Sequence, residues 1–263
     1  MPTTDDDLPL VRRDKGGVAT LTMNRPRQFN ALSEEILAAL DHELSRLAED
    51  DAVRCVVIAA TGKAFCAGHD LKQMRANPDE AYYRSLFAHC GEVMQRIVNL
   101  PVPVIARVQG IATAAGCQLV ASCDLAVATR SARFAVSGIN VGLFCSTPAV
   151  ALSRSVGRKR AQEMLFTGDF IDADQALDWG LINRVAEEDA LDEVLGGLTA
   201  SICTKSAVAV RTGKAMFQRQ LQMPLQEAYA FAGDTMACNM MAEDVAEGID
   251  AFIEKRPPNW RHR

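Results

Sequence analysis

The sequence predicts an α/β protein with a mainly parallel sheet, followed by a helical C-terminal region. Two observations carry this expectation. Short apolar runs alternate with helical spacing up to about residue 147, and helical patterns dominate from about Pro148. Parallel strands need crossover connections, so the alternation reads as stacked βα units. We expect a core over 1–195 and a helical region over 196–263, the latter in the same domain or a small subdomain.

Residues 8–13 and 17–23 read as a hairpin about Lys15-Gly16-Gly17, ended by Asn24-Arg25-Pro26 because proline cannot extend a ladder. Ser33 is a candidate N-cap for a helix to about Asp50, with Ile36, Leu37, Leu40, Leu44 and Leu47 on one face. Val53–Ala60 is apolar throughout, as in a strand buried on both faces. An amphipathic helix follows over Glu80–Asn99, ended by Pro101 and Pro103. Strands are expected over 103–108, 124–129 and 133–136, a helix over 115–122 and a loop over 137–146. Helices are then expected over 148–155, 158–167, 172–179, 188–202, 204–220, 224–241 and 243–255, with Gly157, Gly168, Gly180 and Pro224 between them.

Composition narrows the function. The 263 residues are 49% hydrophobic, enough for a large core, and the net charge of −5 comes from interleaved charges. No basic, aromatic-interleaved patch points to nucleic acid. Asp5-Asp6-Asp7 reads as a solvated tail, not a metal site. No apolar run approaches the ~20 residues of a membrane helix. The N-terminus lacks a charged-then-apolar signal, so a cytoplasmic location is expected. Eight cysteines without a CxxC pair read as packed thiols, not zinc ligands or disulfides. No GxGxxG or GxxxxGK[ST] turn is present, and no nicotinamide, flavin or metal is expected.

Chemistry concentrates in two small-residue turns. Phe65-Cys66-Ala67-Gly68-His69-Asp70-Leu71 and Thr113-Ala114-Ala115-Gly116-Cys117-Gln118-Leu119 each follow a strand-like run. Backbone N–H groups left open by small residues, one set at a helix N-terminus, suit a carbonyl oxygen that gains negative charge. The bland alternative is a connecting turn for the first and close helix packing for the second.

With further motifs these turns resemble the crotonase (enoyl-CoA hydratase/isomerase) superfamily. The motifs are Asn24-Arg25-Pro26 with Asn30-Ala31-Leu32, Pro101–Ala106 before Gly110, Cys123-Asp124-Leu125-Ala126, Phe166-Thr167-Gly168, Ala176-Leu177 through Gly180-Leu181, and Glu247-Gly248-Ile249 with Phe252–Arg256. Residues 114–128 and 138–148 look like the enoyl-CoA hydratase domain-containing protein 3 type within it. The resemblance covers nearly the whole chain. It implies a fold of repeated ββα spiral turns with a helical C-terminal trimerisation region, trimers or dimers of trimers, and an acyl-CoA thioester ligand. It places oxyanion-hole N–H groups at His69 and Ala115. It lays the CoA moiety along Arg27, Gln28, Phe29, Ala67, Asp70, Leu71 and Lys72, with surface solvation as the plain alternative for the two cations. No cofactor beyond the CoA of the substrate is implied.

The family's two glutamates fall here on Gln118 and Gly138. An amide can orient water but is no carboxylate base. Candidate replacements are the His69 imidazole, Asp70 and a Cys145 thiol of lowered pKa, although no basic partner for Cys145 is evident. Three readings stand: nominal enoyl-CoA hydration in fatty-acyl or related acyl-CoA metabolism, another thioester-enolate reaction (isomerisation, decarboxylation or hydrolysis), and acyl-CoA binding without catalysis. If the pocket is otherwise family-like, Gln118→Glu with Gly138→Glu should raise hydration.

Overall fold

The computed structural model describes residues 7–263; Asp5 and Asp6 of the acidic run lie outside them. The hairpin pairs β1 (Leu10–Lys15) antiparallel with β2 (Val18–Met23), turning at Gly16 and Gly17, both at positive φ. A 3-10 turn over Pro26–Gln28 leads to α1 (Glu34–Ala48). Ser33 caps α1 by accepting the Ile36 N–H, and the five expected apolar positions are buried.

Next come β3 (Cys55–Ala60), β4 (Ala64–Cys66), α2 (Leu71–Ala76) and α3 (Glu80–Asn99). The pattern repeats as β5 (Val104–Val108), β6 (Ile111–Thr113) and α4 (Ala115–Ser122), then β7 (Leu125–Thr129) and β8 (Arg133–Ala135). The expected 137–146 loop contains a 3-10 turn over Ser137–Val141, closed by Gly142 at φ 82°. Helices α5 (Ser146–Ser155) and α6 (Arg158–Thr167) precede β9 (Ile171–Asp172), α7 (Ala173–Trp179) and β10 (Arg184–Ala186). The chain ends in α8 (Leu191–Cys203), α9 (Ala207–Gln220), α10 (Leu225–Asn239) and α11 (Glu243–Glu254).

The strands form two sheets, ordered β1-β2-β3-β5-β7-β10 and β4-β6-β8-β9. Long and short strands therefore advance together, β3/β4, β5/β6, β7/β8, and every contact among these six within its sheet is parallel. That is a spiral of ββ units. Of the short strands the sequence anticipated β8 and missed β4, β6, β9 and β10, because two or three residues are too few to display a period of two.

Every residue of β3 is buried. Val56, Ile58 and Ala60 enter the main core, while Cys55, Val57 and Ala59 enter a second cluster with Leu191 and Leu195 of α8. The alternation follows from the pleat, which sends successive side chains to opposite faces. The C-terminal helices are tied back by Lys214 of α9. Its Nζ donates to the carbonyls of Ile97 (3.2 Å) and Val102 (3.0 Å) and to Asp124 Oδ2 (2.6 Å). Asp124 Oδ2 also accepts the Val104 N–H at 2.7 Å. No described helix is long and apolar enough to cross a membrane. All eight cysteines are free; Cys55, Cys66, Cys90, Cys117 and Cys145 are buried, and Cys238 is exposed.

Candidate active site

The first turn is built by a buried asparagine. Asn30 Oδ1 accepts the Arg25 N–H (2.9 Å), and its Nδ2 donates to the carbonyls of Thr61 and Ala64, both at 2.8 Å. This pins the 25–30 loop to the strand that enters the turn. The Ala67 N–H then donates to the Phe29 carbonyl (3.1 Å) and the Leu32 N–H to the Gly68 carbonyl (2.7 Å). Phe29 and Asn30 both sit at positive φ to make these contacts. Arg27, Gln28, Phe29 and Ala67 are thereby brought to one edge of the turn. Arg27, Gln28, Leu71 and Lys72 are exposed, as is Phe29.

The second turn is held against β8. The Ala114 N–H donates to the Ala135 carbonyl (3.0 Å), and Thr113 Oγ1 lies 2.7 Å from Ser137 Oγ. Ala114 adopts φ 50°, ψ −120°, a region that disfavours any residue with a Cβ. That conformation aims the chain into α4, with Ala115 as its first residue. Such strain costs about 1–3 kcal/mol, and glycine loses about 0.5–1 kcal/mol in chain entropy. Ala114→Gly is therefore expected to raise stability by about 1 kcal/mol in urea unfolding; a loss would show that the turn carries no strain.

The two turns abut. Gly68 is at φ 90°, and a Cβ on it would lie 2.9 Å from Ala114 Cβ and 3.4 Å from Ala115 N. A Cβ on Gly116 would run into the Cys66 carbonyl and lie 2.8 Å from Cys66 Cβ. The small residues are thus required by close approach of backbone to backbone. The Ala115 N–H, at the start of a helix, has no intrahelical acceptor. Neither it nor the His69 N–H donates to a backbone or side-chain acceptor among the described residues.

The two positions at which the resemblance expects carboxylates, Gln118 and Gly138, differ in their surroundings. Gln118 is buried on α4, and its Oε1 has no hydrogen-bond partner. Gly138 has no room for a side chain: a Cβ would lie 2.5 Å from the Leu143 carbonyl oxygen and 2.7 Å from Cys145 Sγ. The Cys145 thiol takes that place and accepts the Gly138 N–H at 3.3 Å. Burial pushes the thiol's pKa up, against a smaller lowering by that hydrogen bond. Cys145 is thus a packed thiol, the plainer of the two readings of it, and not one activated by a lowered pKa. The condition placed on Gln118→Glu with Gly138→Glu, a pocket otherwise like the family's, is not met at Gly138. Gly138→Glu should displace the 143–145 segment, lower the melting temperature, and leave enoyl-CoA hydration unimproved in a steady-state assay.

His69 and Asp70 are also committed. The Leu32 carbonyl can only accept, so His69 Nδ1, 3.3 Å away, carries the proton. The lone pair is on Nε2, which is buried without a partner, and the ring packs edge-on to Phe87 with centroids 5.5 Å apart. Burial lowers the imidazole pKa, so the ring is neutral. Asp70 Oδ1 caps α2 by accepting the N–H groups of Lys72 (2.9 Å) and Gln73 (3.1 Å).

Sequence reasoning missed two contributors. Leu143 closes the space over Gly138 through its carbonyl, which no side-chain pattern signals. Phe87 of α3, edge-on to His69, is stacked by Tyr83 with centroids 6.5 Å apart, and Tyr83 Oη donates to the Met74 carbonyl at 3.1 Å. Their four-residue separation on a helix was the available signal.

Comparison with known proteins follows the same outline. The enoyl-CoA hydratase/isomerase family model matches residues 13–263. The chain is 46% identical to the enoyl-CoA hydratase domain-containing protein 3, mitochondrial, of Rattus norvegicus, over 95% of this chain and 83% of that one. A solved enoyl-CoA hydratase of Mycobacterium smegmatis is 62% identical with a TM-score of 0.95, over 96% of this chain and 98% of that one. The human domain-containing protein 3 structure is 44% identical with a TM-score of 0.93, over 96% and 100%. The rat protein and its mouse, frog, human and zebrafish counterparts are named mitochondrial, which overturns the expected cytoplasmic location.

Proposed function

Because the chain belongs to the enoyl-CoA hydratase/isomerase family and has the crotonase fold, we propose that it is an enzyme that binds acyl-CoA thioesters and polarises the thioester carbonyl with the N–H groups of His69 and Ala115. The abutting turns carry this reading: Gly68 and Gly116 let two segments with uncommitted N–H groups approach closely. Two fixed donors stabilise an oxyanion or enolate without reorganisation. The CoA moiety would run along Arg27–Phe29, Ala67, Asp70, Leu71 and Lys72. The two cations suit phosphate oxygens. No cofactor is needed beyond the CoA carried by the substrate.

Water addition to trans-2-enoyl-CoA is the nominal reaction of the family. Gln118 and the filled space at Gly138 argue that it is slow here. General acid–base groups contribute roughly 10²–10⁴-fold each, so hydration should fall at least ~10⁴-fold below that of a relative bearing both carboxylates. Spectrophotometric loss of the enoyl-thioester chromophore over several chain lengths tests this. Fast hydration would mean that another group moves the proton. Exposed apolar side chains on the C-terminal helices, among them Phe217, Leu225, Tyr229, Met236 and Phe252, support assembly into a homotrimer or a dimer of trimers.

A further inference from the structure

We infer that the C-terminal segment 256–263 is a clasp that seats helix α11, and that self-assembly of this chain depends on the clasp being closed. The inference rests on the assembly reading above and assigns it a determinant.

A helix that docks on its own buries an apolar stripe. Helix α11 does not. The residues it buries are Asp244 and Ala251, while Ile249, Phe252 and Ile253 are exposed. Its Val245, Ile249 and Phe252 line a groove of about 440 Å³ together with Val208 and Ala209 of α9 and with Trp260. The apolar side of α11 is therefore left open, and hydrogen bonds from the segment that follows it do the fastening.

Two carboxylates of α11 take up that segment. Glu247 accepts from Arg256 Nη1 (2.6 Å) and Nη2 (3.0 Å) on its two oxygens, and its Oε1 also accepts the Asn259 N–H (2.6 Å). Asp244 accepts the Arg261 N–H on Oδ1 (2.7 Å) and the His262 N–H on both oxygens (3.0 and 3.1 Å). Ser206 Oγ donates to Asp244 Oδ2 at 2.5 Å. Bidentate and charge-assisted bonds of this kind are the strong ones. Between the two carboxylates Trp260 lies against the helix, since a Cβ on Gly248 would come 3.0 Å from its ring.

The same segment is tied to the body of the chain. Trp260 Nε1 donates to the Thr204 carbonyl (2.8 Å), and His262 Nδ1 accepts the Ala207 N–H (3.3 Å). Arg54 Nη1 lies 3.0 Å from His262 Nε2. Thr204 follows α8, Ala207 begins α9 and Arg54 precedes β3, so the segment bridges α11 to three elements. This accounts for Glu247-Gly248, a motif that the thioester site does not use. The carboxylate receives Arg256, and the glycine leaves room for the indole. With the clasp closed, Phe252 and Ile253 are held in place for a second copy. With it open, the second copy would have to order α11 on binding, at an entropic cost.

The test compares the full-length protein with Glu247→Ala and Gly248→Leu. The first removes an acceptor of three bonds. The second favours α11 as a helix but fills the space of the indole, which separates the clasp from helix stability. Sedimentation equilibrium should show assembly weakened at least ~10-fold in each, the scale of one lost hydrogen bond to a charged group. The chain has two tryptophans, so Trp179→Phe leaves Trp260 as the reporter. Its emission should move to longer wavelength in both variants while far-ultraviolet circular dichroism is kept. Assembly that persists in both variants overturns this inference alone, as does unchanged Trp260 emission. Loss of the dichroism in both would overturn it as well, by showing that α11 belongs to the core. A monomeric wild type overturns the assembly reading and this inference together.

Discussion

Lys214→Met is expected to lower the unfolding free energy by about 3–5 kcal/mol, the cost of breaking a buried ion pair from one side. The Lys214 side chain is 8% exposed and donates to two carbonyls and one carboxylate, of which only the carboxylate has another donor among the described hydrogen bonds. Asp124 would be left with the Val104 N–H alone. The energy is large because a desolvated carboxylate loses its counter-charge, not because a hydrogen bond is missing. Urea unfolding reads the effect, and adding Asp124→Asn should recover part of it, since the amide oxygen still accepts from Val104 without carrying charge. A loss under 1 kcal/mol would mean that water reaches the pair and that α9 is not fastened to the core here.

The second large effect is expected at Gly116. Its position gives an added methyl no room against the Cys66 backbone, so β4 and α4 must separate. Overpacking of this kind costs roughly 1–3 kcal/mol. The functional loss should be larger, because Cys66 is three residues before His69 and any shift moves one of the two N–H donors. Removal of one oxyanion donor costs about 10²–10³-fold in rate, and Gly116→Ala should approach that in whichever acyl-CoA turnover the protein displays. Gly91→Ala and Gly213→Ala supply the control. Both sit inside helices with open space where the methyl would go. Each should gain roughly 0.5–1 kcal/mol from better helix propensity without touching turnover. Equal behaviour of all three would remove the geometric argument for the turns.

Where the sequence was legible, a period was visible. Helix α3 was bounded to the residue, because proline follows it and Leu86, Val93, Met94 and Ile97 repeat at helical spacing. Helix α4 was equally clear, since a small-residue turn precedes it. Strand β3 announced itself as an unbroken apolar run. The short β8 was expected, but β4, β6 and β9 contain two or three residues each, and their pairing is decided by neighbours far away in sequence. Their existence could only be seen in three dimensions. At the site, the sequence located the small-residue turns whose glycines the structure brings into backbone contact. It gave no sign that Cys145 occupies the place where a side chain on Gly138 would go, because that contact depends on how a 3-10 turn folds back through Gly142.

The packing at Gly138 also bears on how such a sequence can change over generations. A single codon change to a carboxylate there meets a carbonyl and a thiol, so an intermediate variant folds poorly before it gains any proton-transfer group. Two coordinated changes are the minimum: one to vacate the space held by Cys145 and reshape the Leu143 segment, another to fill it. Selection acting one step at a time rarely crosses such a gap. The chain is thereby held to whatever chemistry an uncharged site can support, and drift at exposed positions leaves that commitment in place.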